Sequence, residues 1–387
     1  MIIAILGRET RLSLAELEAT VGANRLHPFG PNAAMIDSDI APLLAGSPKV
    51  GTVIEEMAAA PWELQTQQLM MSILRYVDTL PVGKVTLGMS VYGTDLKPKQ
   101  IQEFLLDVKK QLKSRDRSVR IVPNKDPILN AASITHNKLT NQRSADLLYV
   151  QFGNRALLGR TTRVQDIDAF TQRDRDKPAR DSKVGMLPPK LAHLMLTLAL
   201  KCESYQSGWI LDPFCGSGTV LLEASVHGCQ SYGTDIADDM VNASQKNAEW
   251  LAHMSLAHGE IVVEPGDATT HQWKLKEPIT AVVSEGYLGP PLKTYPRAPQ
   301  LTKIKSEVNS LMKKFLKNIH PQLKPGTPVV VALPAWHKKD SVTRLPLVDE
   351  IDKLGYTRRD FEHTRGPLIY HREKQVVGRD ILVLVRK

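Results

Sequence analysis

WILDPFCGSGTVLLEASVHGCQSYGTD, residues 209–235, is the stretch around which the chain is organised. Trp209-Ile210-Leu211 is a short apolar run expected to form a buried strand, and Asp212-Pro213-Phe214-Cys215-Gly216-Ser217-Gly218-Thr219 is a glycine-bearing turn. Residues 220–227 then read as an apolar helix closed by Gly228. Gly216 and Gly218 remove side chains where backbone amides must face a ligand, and the helix start adds partial positive charge. A second strand, Ser231-Tyr232-Gly233-Thr234, ends in Asp235. That is about twenty residues on, the spacing at which a nucleotide fold sets an acid on ribose hydroxyls. Two consecutive strand ends are therefore expected to face one ligand. A strand-turn-helix without a ligand shares this local pattern, so the turn does not decide alone. No Gly-Lys-Ser/Thr follows, which excludes a P-loop, and the spacing is not the dinucleotide Gly-x-Gly-x-x-Gly.

The chain has 387 residues, enough for two or three domains with cores of their own. Apolar residues make up 42% and no low-complexity tract interrupts them, which argues against disorder. Lys and Arg number 50 against 41 Asp and Glu, a formal charge of +9 that favours a polyanionic partner. Cys202, Cys215 and Cys229 form no Cys-x-x-Cys pair and the eleven histidines do not cluster at ligand spacing. Neither a metal site nor a disulfide framework is expected, which suits a reducing cytoplasm. The apolar N-terminus reaches Gly7-Arg8-Glu9 too soon for a signal peptide, and no run approaches transmembrane length.

From the N-terminus, Ser13-Leu14-Ala15-Glu16 reads as a capping box, with Leu12 and Leu17 as its hydrophobic staple. Strand-like residues 33–36 and 50–54 complete an α+β unit over 1–61. A second unit, 62–164, holds a strand over 86–92 and a helix over 99–112 whose buried stripe is Ile101, Phe104, Leu105, Val108 and Leu112. Lys109, Lys110 and Lys113 lie on its other face, and Arg115, Arg117, Arg120 and Lys125 prolong the basic run. Gly153-Asn154 joins two further strands as a hairpin turn. Residues 165–182 are polar and charged and read as a linker. In the remainder, 183–387, the double proline Pro188-Pro189 starts a helix with Leu191, Leu194, Met195 and Leu198 on its buried face. After Asp235 and Ile236 come a helix over 238–251, a strand over 260–264 ending at Gly266-Asp267-Ala268, and a fourth strand over 279–283. That strand delivers Ser284-Glu285-Gly286-Tyr287-Leu288-Gly289-Pro290-Pro291. A strand over 328–333 and an antiparallel pair of 368–371 with 381–385 close the chain.

Asp-Pro-Phe-Cys-Gly-Ser-Gly-Thr resembles the first motif of S-adenosylmethionine (SAM) methyltransferases acting on RNA or DNA. Val91-Tyr92-Gly93, His136-Asn137-Lys138-Leu139 and Leu147-Leu148-Tyr149-Val150 resemble a THUMP domain, an RNA-binding module of tRNA-modifying enzymes. Together they resemble the THUMP-containing tRNA guanine-N2 methyltransferases, position-10 type, over most of the chain. The resemblance implies a Rossmann-like α/β methyltransferase domain behind the α+β and THUMP-like parts, with tRNA as partner and SAM as cofactor. It implies that residues 212–219 with Asp235, Ile236, Asp267 and Ala268 hold SAM, and that no metal is needed.

Enzymes that methylate base amines usually carry Asp/Asn/Ser-Pro-Pro-Tyr/Phe/Trp after the fourth strand. There a side-chain oxygen and a backbone carbonyl aim the amine and the ring stacks on the extruded base. Aligned on the aromatic residue, Ser284 takes the acceptor place and Tyr287 the stacking place, while Glu285 and Gly286 replace both prolines. Glu285 is an alternative acceptor. The loss of the prolines costs preorganisation, so a catalytically weak RNA-binding protein on this scaffold is a competing expectation. A DNA adenine or cytosine amino-methyltransferase is another, though it leaves the THUMP-like half unexplained. A protein partner subunit or a homo-oligomer stays open.

Overall fold

A computed structural model describes residues 1–38, 44–180, 186–200, 208–339, 341–373 and 375–387. Cys202 and the end of the expected linker at Asp181 and Ser182 lie outside the described residues. The chain forms two compact units, Met1–Ile167 and Asp168–Lys387.

In the first unit, β1 (Ile2–Ile5) is followed by α1 (Thr10–Val21), β2 (Leu26–Phe29), β3 (Ala33–Ile36) and β4 (Lys49–Ala58). Then come α2 (Trp62–Asp78), β5 (Val85–Tyr92), α3 (Pro98–Lys113), β6 (Val119–Ile121) and α4 (Ala131–His136). The hairpin β7 (Ser144–Phe152) and β8 (Arg155–Val164) turns through Gly153 at φ 59°. All eight strands make one sheet in the order β2-β3-β1-β4-β8-β7-β5-β6. The expected boundary near residue 61 is thus no boundary between compact units, because β4 and β8 pair antiparallel along their whole length. The predicted stripe of α3 is buried as a set, packed with Leu69, Ile73 and Val77 of α2 over Met89, Leu147 and Tyr149.

The expected capping box at Ser13 and Glu16 does not form. The helix begins at Thr10, so Ser13 and Glu16 lie within it and both are buried. Ser13 Oγ donates to Gly46 O at 2.7 Å, while Glu16 accepts from the Ala45 and Gly46 amides at 2.8 and 2.6 Å. The polar pair anchors a distant loop and does not cap its own helix.

The second unit begins one residue into α5 (Ile167–Arg175) and continues with α6 (Pro189–Leu200), β9 (Trp209–Asp212), α7 (Thr219–Val226), β10 (Gln230–Asp235), α8 (Asp238–His253) and β11 (Ile261–Pro265). It continues with β12 (Ile279–Glu285), α9 (Ala298–Ile319), β13 (Pro328–Lys338), β14 (Ser341–Thr343), β15 (Tyr356–Arg358), β16 (Leu368–Tyr370) and β17 (Val377–Arg386). The sheet order is β11-β10-β9-β12-β13-β17-β15, with β14 on β13 and β16 on β17. Strands β11 to β13 run parallel, and β17 enters antiparallel between β13 and β15. The order reverses between β9 and β12, and at such a reversal helices leave in opposite directions and open a crevice at the carboxyl ends of the strands. This is a doubly wound Rossmann-like fold. Among the described residues no helix is long and apolar enough to cross a membrane.

The 165–182 stretch is also corrected. Nine of its residues form α5, and Arg173 is buried. It is a strap on the second unit, built on charge pairing that hydropathy does not register.

Candidate active site

The turn after β9 lies where the strand order reverses. Gly216 has φ 51°, and a side chain there would project into open space with no atom within 4 Å. Gly218, at φ 85°, has the opposite constraint, since a Cβ would lie 2.3 Å from Ser244 Oγ on α8. One glycine leaves a cradle and the other lets the turn press on a helix. Beneath them Cys215 is buried, its thiol pushed upward in pKa by that burial. A Cβ on Gly233 would meet Cys215 Cβ at 2.9 Å, which explains the glycine in the neighbouring strand. Pro213 is buried, and its carbonyl accepts from Thr234 Oγ1 at 3.4 Å. Phe214 packs edge-on to Phe315 of α9. Ser217 Oγ lies 3.6 Å from Met186 Sδ.

Asp235 closes the cradle from the next strand. Its carboxylate accepts from the amides of Gly216 at 2.9 Å and Ala237 at 3.0 Å. Ile236 beside it is 75% exposed. The Asp235 carbonyl accepts from Gly266 N at 2.9 Å, tying in the end of β11. There Asp267 Oδ1 receives the amide and hydroxyl of Thr269, while Ala268 belongs to the core and its carbonyl receives Asn318 Nδ2.

At the end of β12 the expected acceptors separate. Ser284 is fully buried and donates to Asp212 Oδ1 at 2.6 Å. Asp212 also accepts from Phe214 N, but burial dominates and raises its pKa to about 7, with the charges of Asp235 and Glu285 adding to the rise. Three carboxylates thus converge at the ends of β9, β10 and β12. Glu285 is ion-paired with Arg379 of β17. Burial raises its pKa and the arginine opposes that rise. Gly286 donates its amide to Ala332 O at 3.0 Å and sits where a Cβ would strike Met312 of α9. Tyr287 then emerges 47% exposed, a ring available for stacking.

Several residues escaped the sequence reading. Arg173 makes a buried two-point pair with Glu223 of α7. Lys177 donates to Thr219 Oγ1 at 2.9 Å, and desolvation lowers its pKa. Asn247 of α8 clamps the same segment to the turn: it exchanges hydrogen bonds with the backbone of Ala179 and donates to Ser217 O at 2.8 Å. The signal available was the basic spacing of Arg173, Lys177 and Arg180. His193, Glu223 and His227 offer ligand atoms within 4.8 Å of one another. Yet Arg173 already neutralises Glu223, and the two imidazoles share a 2.9 Å hydrogen bond. Burial lowers their pKa values to about 3 and about 4, which keeps both imidazoles neutral.

In the first unit a cavity of about 800 Å³ opens beside the starts of β5 and β7. Lys84, Arg120, His136, Lys138, Arg143 and Arg160 line it, and its lining holds no carboxylate. Of the basic run read from sequence only Arg120 contributes. Lys110 pairs with Asp107, Arg115 with Asp78, and Arg117 donates to the carbonyls of Leu80 and Pro81.

Residues 178–344 match the family model described as RMKL-like, methyltransferase domain. A second model, described as DNA methylase, matches residues 99–246, a span that crosses from one compact unit into the other. Curated relatives include two proteins named tRNA (guanine(10)-N2)-dimethyltransferase. That of Pyrococcus abyssi is 30% identical over 40% of this chain and 41% of its own length. That of Methanothermobacter thermautotrophicus is 30% identical over 43% and 42%. The chain therefore spans about two fifths of the length of the curated relatives it matches. Among solved structures, TrmN from Thermus thermophilus superposes with TM-score 0.52 at 16% identity, covering 100% of this chain and 99% of its own. A possible methylase from Clostridium difficile 630 gives 0.50 at 13%, covering 98% and 97%. At such identities the structural likeness speaks for the fold, a Rossmann-like methyltransferase fold.

Proposed function

We propose that this chain is a SAM-dependent RNA methyltransferase that modifies the exocyclic N2 amine of a guanosine in tRNA, in the cytoplasm. The observation that carries it is one convergence: the open cradle at Gly216, closed by Asp235, adjoins the strand end bearing Ser284, Glu285 and Tyr287. The residues fit SAM. The bare backbone at Gly216 and Ser217 leaves room for the methionine portion, Asp235 offers its carboxylate to ribose hydroxyls, and Ile236, Asp267 and Ala268 border the adenine. When bound, SAM supplies an electrophilic methyl group.

The chain's own part is to bind, orient and exclude water. Tyr287 stacks on the extruded base, and an oxygen at the end of β12 accepts from the amine and turns its lone pair toward the methyl. The cation-lined cavity of the first unit supports a polyanionic substrate, with Lys and Arg holding phosphates. The names of the curated relatives support tRNA and guanine N2.

The match to a DNA methylase model favours a second reading, amine methylation of DNA, and the buried Ser284 with its missing prolines favours a third, RNA binding without transfer. One assay separates them: labelled methyl transfer from SAM to unmodified bulk tRNA and to duplex DNA. Label is expected in tRNA alone. Asp235→Ala weakens SAM binding at least about tenfold. Tyr287→Ala lowers kcat/KM by roughly tenfold to a hundredfold with SAM affinity retained. Label in DNA would move the assignment to the second reading; SAM and tRNA binding with no transfer would move it to the third.

A further inference from the structure

Glu285 is the last residue of β12, at the root of the loop that carries Tyr287. Its Oε1 accepts from Arg379 Nε; its second oxygen takes no bond among the described residues, and the side chain keeps 19% exposure. Arg379 reaches it from β17, Arg372 adds positive charge from the preceding segment, and Asp212 opposes from β9. One position earlier, Ser284 has no exposure and its hydroxyl donates to Asp212. Of the two candidate acceptors, only the Glu285 side chain keeps any exposure, and Arg379 holds its Oε1.

A carboxylate accepts and never donates while ionised, and each of its oxygens has two lone pairs. Oε1 therefore keeps acceptor capacity beside the arginine. Among bases with an exocyclic amine, guanine presents two adjacent donors on its pairing edge, N1–H and N2–H. Adenine and cytosine put a ring acceptor beside the amine, which would face Glu285 lone pair to lone pair. We propose that Glu285, oriented by Arg379, selects guanine by accepting N1–H and N2–H together, with Arg379 as a positioning residue. This rests on the methyl-transfer assignment above and adds the contact that chooses the base.

2-Aminopurine keeps the N2 amine, offers a lone pair at N1 in place of N1–H and lacks O6, so a reversed preference in the Glu285 variant, which loss of O6 alone cannot produce, is the deciding readout. The methylated guanosine is mapped first, and a ligated tRNA carrying 2-aminopurine there is compared with the guanosine form. Wild type is expected to prefer guanosine by about tenfold or more. Glu285→Gln, whose carboxamide offers one acceptor and one donor, is expected to lose turnover on guanosine and to prefer 2-aminopurine, with SAM binding unchanged by calorimetry. Arg379→Met lowers kcat on guanosine and moves the acid limb of its pH profile to higher pH, because desolvated Glu285 without its counter-ion holds its proton longer; Arg379→Lys restores part of both. Indifference of the wild type to the swap, or an equal loss on both RNAs in Glu285→Gln, overturns base selection and leaves methyl transfer standing. Failure of SAM-binding wild type to label any tRNA overturns the methyl-transfer assignment and this one with it.

Discussion

Asp212 is wholly buried between the charges of Asp235 and Glu285, so ionising it is costly to the fold. Its folded pKa of about 7 stands above the ordinary 3.8, and between those values the native state holds a proton that the unfolded chain has released. Stability therefore falls as pH rises through that window and levels off above it, the reverse of a salt-bridged carboxylate. Asp212→Asn keeps an acceptor for Ser284 Oγ and removes the ionisation. In urea unfolding its stability relative to wild type is expected to improve from pH 5 to pH 8 by a few kcal/mol at most. A gap independent of pH would show Asp212 to be ionised in both states. The residues at strand ends, Asp212, Asp235, Ser284 and Glu285, were legible because alternation and turn spacing announce where a strand stops. Their partners were not: Arg379 lies 94 residues beyond Glu285, and only the folded sheet brings β17 beside β13.

At the scale of elements, α3 was readable because it buries an apolar stripe of helical period, and α6 because of its apolar run behind a double proline, though folding buries it on nearly every side. Helix α5 was not, since its buried anchor is an arginine. Arg173 pairs with Glu223 of α7 and stacks on Phe170 at 4.9 Å, with both charged side chains under 10% exposed. Breaking such a pair from one side strands a charge, whereas removing both charges leaves an apolar gap that packing can fill. Arg173→Ala is expected to cost about 3–5 kcal/mol in urea unfolding, and the Arg173→Met, Glu223→Leu double variant about 2 kcal/mol or less. A double variant no more stable than Arg173→Ala would mean that α5 is held by something other than the pair. The same lesson explains Ser13 and Glu16: their spacing mimics a capping box, but burial sends their oxygens to the backbone of Ala45 and Gly46.

For the whole molecule, six strands on the path of the second sheet, β9 to β13 and β17, follow from the order of strand and helix patterns, whereas the edge strand β15 and the union of residues 1–61 with 62–164 do not. That union depends on β4 meeting β8, for instance Glu56 with Arg155, 99 residues apart, and no local pattern encodes such a pairing. The charge of +9 is likewise a sum that sequence cannot distribute. Folding does: ion pairs and carbonyls engage Lys110, Arg115 and Arg117, while Lys84, Lys138, Arg143 and Arg160, the last held by the Thr140 and Asn141 carbonyls, gather with Arg120 around one carboxylate-free cavity. If that cavity holds RNA phosphates, binding releases condensed counterions and log Kd changes linearly with log salt. The slope drops by about 0.7 per single-stranded or about 0.9 per duplex phosphate contact removed. Lys84→Ala with Arg143→Ala, both exposed and remote in sequence from the SAM turn, is expected to weaken tRNA binding and flatten the salt slope by roughly 1.4 to 1.8, with SAM affinity unchanged. A Lys110→Ala, Lys113→Ala control on the outer face of α3 is expected to move the slope by less than half of that. Equal effects from the two pairs would mean that RNA senses the net charge and not the cavity.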